Sequence, residues 1–194
     1  KLSVSYIDIM QENGKNGENG ENTFWEFVKV VIISVAIVLP IRTWVAQPFI
    51  VSGASMEPNF HNGEYLIIDE LSYQFEEPER GDVVVFRFPL NPKEFFIKRI
   101  IGLPGETVEI KNGTVLILRS GEKEILMLNE AYIPESFETG PDLVKELKNG
   151  EYFVMGDNRS HSSDSRMWGA LPEDKLMGRA LIRLWPIAKA EIID

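Results

Sequence analysis

Gly81-Asp82-Val83-Val84-Val85-Phe86, followed by Phe95-Phe96-Ile97-Lys98-Arg99-Ile100-Ile101, decides the fold class. β-Branched and aromatic residues dominate both runs. Turn formers bound them, Arg80-Gly81-Asp82 ahead of the first and Pro104-Gly105 after the second. Such side chains suit a pleated, half-buried surface, and Gly, Pro and Asp suit the reversals between strands. The same alternation of strand and turn extends outward. Tyr65-Leu66-Ile67-Ile68 follows Asn62-Gly63. Val108-Glu109-Ile110 and Thr114-Val115-Leu116 flank Lys111-Asn112-Gly113 and predict a hairpin. Tyr152 to Met155 and Ala180 to Trp185 read as the last strands. Residues 107–150 are more charged and less regular, as expected of an insertion, with a short helix near Pro141 to Lys148. The predicted class is mainly β, an antiparallel domain over residues 48–194.

Upstream the character changes. Val30 to Ile41 carries no charge and is bracketed by Lys29 and Arg42. Those twelve residues reach only about 18 Å as a helix, whereas a bilayer core of roughly 30 Å needs about 20 residues. The gap closes if Lys29 and Arg42 snorkel and Trp25 and Trp44 sit at the two interfaces. We therefore expect one transmembrane helix over 24–47, kinked or ended near Pro40. A buried core helix fits the same residues. Charge balance around the segment gives no orientation. Residues 11–22, QENGKNGENGEN, lack an apolar face, so 1–23 is expected to be a flexible tail. The first residue is Lys1 rather than Met, which leads us to expect that preceding residues are missing or were processed away.

Composition removes several functions. The net charge is −10, which repels phosphate backbones and argues against nucleic acid as a partner. There is no cysteine, hence no disulfide framework, thiolate nucleophile or Cys-ligated metal.

Three segments hold the polar chemistry. In Ser52-Gly53-Ala54-Ser55-Met56-Glu57-Pro58-Asn59-Phe60, Gly53 and Ala54 leave the Ser55 hydroxyl accessible and its N–H unshielded. A nucleophile that also helps bind an oxyanion needs both. Its base is not fixed by residue types. His161 with Asp157 or Asp164 would complete a Ser-His-Asp set. Lys98 is the alternative, because Phe96 and Ile100 share its face of a strand and desolvation lowers a lysine pKa. The third segment, Gly156-Asp157-Asn158-Arg159 and on to Arg166, packs hydroxyls and opposite charges together. Its acidic residues and His161 lack regular metal-ligand spacing, so no metal is expected.

Taken together, these segments resemble the bacterial type I signal peptidases, over roughly Phe24 to Trp185. Gly53-Ala54-Ser55-Met56-Glu57-Pro58 is similar to the family's nucleophile box, Gly81 to Phe86 to its structural box, Lys98 to Glu106 to its lysine box, and Met155 to Arg166 to its last box. The resemblance implies an antiparallel domain of two small sheets behind a membrane anchor. It implies Ser55 as nucleophile, Lys98 as general base, and the Ser55 N–H as oxyanion donor. Ser162 takes the place of a hydroxyl bonded to the lysine amine, and Asp164 and Arg166 that of a supporting salt bridge. Phe49, Val51, Phe60, Phe96 and Ile97 are expected to line the substrate pockets. No metal or cofactor is implied. The expected partners are exported preproteins with their signal peptides and the lipid bilayer. The expected location is the inner membrane, single-pass, with the tail cytoplasmic and the catalytic domain outside. Two departures stand out: Asn59 follows Pro58 where the family has a small residue or Thr, and Gly53 stands where some members carry a Ser donor to the oxyanion. Ser52 is not assigned that role, and His61 and His161 are expected to be surface residues. A Ser/Lys peptidase of another kind, such as a self-cleaving repressor, and a non-catalytic membrane-anchored β-domain are the alternatives. The anchor argues against the first and the intact Ser55, Lys98 and Ser162 against the second.

Overall fold

A computed structural model describes residues 15–40, 46–119, 125–134 and 136–193. The chain divides into two units, Lys1–Trp44 and Val45–Asp194. The first contains helix α1, Lys15–Pro40. It begins well before the apolar segment, so 15–22, expected to belong to a flexible tail, is helical. Extending an existing helix avoids a new nucleation step, which lets the apolar segment support its polar start. Residues 1–14, the remainder of that tail, lie outside the described residues. Among the described residues no helix is long and apolar enough to cross a membrane. The expected span over 24–47 runs on through 41–45, which also lie outside them.

The second unit is built from two antiparallel sheets. The larger comprises β1 (Ala46–Ile50), β2 (Tyr65–Asp69), β3 (Val83–Arg87), β4 (Phe95–Gly102), β9 (Glu151–Met155), β10 (Leu171–Pro172), β11 (Leu176–Trp185) and β12 (Glu191–Ile192). Its order is β1-β2-β11-β3-β4-β9-β10, with β12 paired to β11. The smaller comprises β5 (Glu106–Lys111), β6 (Thr114–Arg119), β7 (Ile125–Met127) and β8 (Leu143–Glu146), ordered β7-β6-β5-β8. The chain thus leaves the large sheet after β4, builds the small one, and returns as β9. Asn112 and Gly113 join β5 to β6 with φ of 49° and 80°, the backbone a tight two-residue hairpin loop requires.

Burial follows sequence. Val83 to Phe86 is buried throughout, because β3 has a core on each face. Val83 and Val85 pack with Met56, Phe60, Leu66 and Ile68, while Val84 and Phe86 pack with Ile100, Val154 and Leu171. β5 alternates, with Val108 and Ile110 inside and Thr107 and Glu109 half-buried. One expectation fails here. The segment expected as a helix near 141–148 contains strand β8, whose residues pair with Thr107 to Ile110 of β5. Leu143 and Leu147 have helical spacing, but the open edge of β5 offers a ladder of backbone hydrogen bonds that a single helical turn cannot match.

Candidate active site

Ser55 lies in the loop joining β1 to β2. Val51 and Glu64 close its base through Val51 N–H to the Glu64 carbonyl, 2.9 Å. Gly53 adopts φ +92°, a conformation that glycine alone adopts readily, and donates its N–H to Asn62 Oδ1 at 2.9 Å. Met56 and Phe60 are both buried in the core. With both sides of the loop tied down, Ser55 projects between them.

Lys98 reaches it from β4. Its amine donates to Ser55 Oγ at 2.7 Å and to the Ile97 carbonyl at 2.8 Å. It also lies 5.3 Å from the centre of the Phe96 ring, two residues back on the same face. Lys98 is only 4% exposed. Burial pushes its pKa down from 10.5 to about 8, against the carboxylates of Asp164 and Asp157, which pull it up. About a tenth of the amine is therefore neutral at pH 7 and half at pH 8, and the neutral form is what a general base requires. Neither histidine competes for the role. Among the described residues neither is hydrogen-bonded to Ser55. His161 is exposed, with Nδ1 2.9 Å from Ser160 Oγ, and His61 is half-buried, 3.5 Å from Glu64.

The segment after β9 closes the site from below. Asp164 is fully buried and takes two hydrogen bonds from the Arg166 side chain, Nε to Oδ1 at 2.8 Å and a terminal nitrogen to Oδ2 at 2.7 Å. Asp164 also accepts from Gly156 N–H at 3.1 Å and caps the short helix α2, Ser165–Trp168. Arg166 ties onward to the carbonyls of Gly140 and Arg159. Ser162 differs from expectation. Its Oγ is buried without a hydrogen-bond partner, and the Lys98 amine gives its bonds to Ser55 and Ile97 instead. The hydroxyl is close to the loop all the same. A side chain on Gly156 would collide with both Ser162 Oγ and the Ser55 carbonyl, so glycine is what lets these segments meet.

A cavity of about 360 Å³ opens between β1 and β4 beside Ser55 and Lys98. Phe49, Val51, Phe96 and Ile97 line it. Phe60 does not; it is buried in the core under the Arg183 guanidinium, because the turn after Ser55 carries it inward. Sequence reasoning missed Leu66 and Val85 on the cavity floor and Ile50, Phe95, Glu94, Ser52 and Ser163 around it. Strand alternation would have found the first two. Also missed was a buried frame beneath the loop. Arg99 makes two bonds to Asp157, at 2.9 and 2.8 Å, and lies 4.2 Å over the Tyr132 ring. The departure at Asn59 belongs to this frame, because its amide bridges Asp157 Oδ2, 2.8 Å, and the Tyr132 carbonyl, 2.7 Å. A small residue there would leave both acceptors short of a donor.

Comparison with known proteins then decides the family: residues 24–185 match the model described as signal peptidase, peptidase S26. The chain belongs to the signal peptidase family. A probable signal peptidase I-2 from Synechocystis sp. is 40% identical over 194 residues, covering 96% of this chain and 85% of that one. A signal peptidase I from Bacillus amyloliquefaciens is 38% identical over 174 residues, covering 84% and 86%. A solved signal peptidase I from Enterococcus faecalis is 31% identical with a TM-score of 0.45, covering 54% of this chain and 97% of that one. Within the signal peptidase family, then, this member brings one serine and one buried lysine together at the mouth of an apolar cleft.

Proposed function

We propose that this protein removes N-terminal signal peptides from exported preproteins as a serine endopeptidase, with Ser55 as nucleophile and Lys98 as general base. The 2.7 Å bond between the Lys98 amine and Ser55 Oγ carries the reading. Neutral Lys98 takes the hydroxyl proton as Oγ attacks the scissile carbonyl. The Ser55 N–H stabilises the oxyanion. Protonated Lys98 then gives the proton to the leaving amine. Water, deprotonated by Lys98, attacks the acyl-enzyme, and Ser55 regains its proton from that lysine. The Ser162 hydroxyl is buried and unpartnered beside Gly156, which the Ser55 carbonyl also approaches, and we propose that it steadies the amine once that turns from Ile97. The Asp164–Arg166 pair keeps the Ser162 segment in place.

The cleft between β1 and β4 suits an extended substrate that adds as a strand, with alternate side chains directed inward. Phe49, Val51, Phe96 and Ile97 leave it shallow and apolar. A large side chain clashes there, and a charged one would be buried unpaired. Cleavage after small-x-small sequences follows.

We further assign the anchor to residues 24–47, spanning the inner membrane once, with the catalytic domain outside and the N-terminal tail in the cytoplasm. Support comes from α1 itself. Phe24, Phe27, Val30, Ile32, Ile33 and Ile37 are all exposed, and a run of exposed apolar side chains on a helix favours apolar surroundings such as lipid.

Two measurements on detergent-solubilised protein test the reading. Ser55→Ala and Lys98→Ala should each lower preprotein cleavage at least about 10⁴-fold while the fold survives. Substantial turnover by Lys98→Ala, or its loss in a folded His161→Ala variant, would refute the dyad. A preprotein panel varied at the residue before the cut should be cleaved with Ala there and not with Phe or Lys; equal cleavage of all three would refute the pocket.

A further inference from the structure

We infer that Asn158 is a positioning residue which sets the direction of the oxyanion donor. The inference rests on the reading of Ser55 as nucleophile and of its N–H as that donor. Asn158 is buried and lies in none of the roles described so far. Its side-chain amide donates to the Ala54 carbonyl at 3.0 Å, and its backbone N–H donates to the Ser55 carbonyl at 3.1 Å. One residue thereby holds both peptide units that flank the Ser55 α-carbon.

The geometry of the peptide bond gives this its meaning. The Ala54 carbonyl and the Ser55 N–H belong to one planar trans unit and point in opposite directions. Fixing the carbonyl toward Asn158 therefore aims the Ser55 N–H away from it. Rotation of that unit would cost the carbonyl its donor, and rotation of the next would break the bond to the Ser55 carbonyl. A donor to the Ala54 carbonyl also polarises that peptide and strengthens the Ser55 N–H at its other end. The amide cannot reverse without loss. Its Oδ1 faces Ser160 Oγ at 3.4 Å and His161 Nδ1 at 3.3 Å, while only its NH₂ can serve Ala54. Pre-aimed donors of this kind stabilise charge that develops in the transition state more than they stabilise the ground state.

The test compares Asn158→Ala with the full-length wild type in detergent, on one preprotein. Losing an oxyanion donor outright costs about 10²–10³ in kcat, so misaiming it should cost roughly 10- to 100-fold. KM should stay within about twofold, because the interaction is made in the transition state. Affinity for a substrate-like peptide aldehyde, whose carbonyl takes up Ser55 Oγ as a tetrahedral adduct, should fall by the same factor as kcat. The midpoint of the pH profile should not move. A wild-type kcat in folded Asn158→Ala overturns the inference, as does a displaced pH midpoint, which would assign the residue to Lys98. If Asn158→Ala does not fold, Asn158→Asp decides. It has the same shape but sets a carboxylate oxygen against the Ala54 carbonyl; the same loss of kcat and of aldehyde affinity at unchanged KM is expected, and the pH midpoint, which the added charge itself moves, is left out of that comparison. Failure of both variants to fold would make Asn158 part of the framework and overturn the inference. Ser55→Ala, run alongside, separates the two levels. If it is inactive and Asn158→Ala is unimpaired, only the positioning role falls; if it still cleaves, the nucleophile assignment falls and takes the inference with it.

Discussion

Lys98 and Arg99 are neighbours on β4, both cationic and both buried, and the protein treats them in opposite ways. Arg99 finds Asp157 and pairs through two bonds, with Asn59 and the Tyr132 ring filling in around it. Lys98 faces a serine hydroxyl, a carbonyl and a phenyl ring; its nearest carboxylates act on it from beyond hydrogen-bond reach. Compensated charge makes framework. Uncompensated charge favours a neutral amine, as the proposed role of Lys98 requires, because the cheapest response of a buried, unpaired ammonium is to lose its proton. A strand can therefore place a structural cation and a reactive one side by side simply by alternating faces.

The comparison breaks most visibly on the Arg99 side. Asp157→Ala strands a buried guanidinium, and removing one partner of a buried pair costs about 3–5 kcal/mol. Denaturant unfolding should register a loss of that order, with activity falling as the Ser55 loop loosens. A loss below about 1 kcal/mol would mean that Arg99 escapes to water and that the frame is not rigid.

A smaller effect sharpens the Lys98 side. With its pKa near 8, the neutral fraction falls about tenfold for each pH unit below that value. Cleavage by the wild type should therefore rise by about 50-fold from pH 6 to pH 8, and by about twofold more before it levels off above pH 9. A profile flat across that range would remove lysine as the base.

The smallest effect is on stability, and its sign is opposite to that at Asp157. Unfolded, Lys98 titrates at its ordinary 10.5; folded, at about 8. Below pH 8 it is charged in both states, and the folded protein bears the whole cost of burying it. Between the two values the unfolded chain binds more protons, so stability rises with pH, and above 10.5 the cost is gone. Lys98→Met should therefore raise stability at pH 7, by about 1–3 kcal/mol, with the gain shrinking toward pH 10.5. An unchanged or lower melting temperature at pH 7 would show that the ammonium is better solvated than its burial implies.

Much of this was legible in advance, for local reasons. Runs such as Val83 to Phe86 have few alternatives to a strand, and Asn112-Gly113 has few alternatives to a hairpin. Where the reading failed, a distant partner made the choice. The β8 segment becomes a strand because β5 has an edge to fill. Phe60 is near Ser55 along the chain yet turns into the core. The Arg99–Asp157 pair joins residues 58 apart and leaves no local trace. Asn59 looked like a blemish in a motif until Asp157 stood opposite it. Asn158 was in view as part of a polar loop, but nothing in its neighbours says that it will reach Ala54, 104 residues earlier.

Those separations bear on when the enzyme becomes active. Ser55 and Lys98 are 43 residues apart, and the segment holding Asn158, Ser162 and Asp164 arrives only after the whole of the small sheet has been made. Closing such loops is slow, and little rewards it until the last contacts form. Gly156, with no room for a side chain between Ser162 and the Ser55 carbonyl, is one place where those segments meet closely. A chain still emerging, or made only as far as β4, holds Ser55 and Lys98 without the segment that packs against the Ser55 loop. If Ser55 and Lys98 act as proposed, competence to cleave therefore waits on the last part of the site to be made.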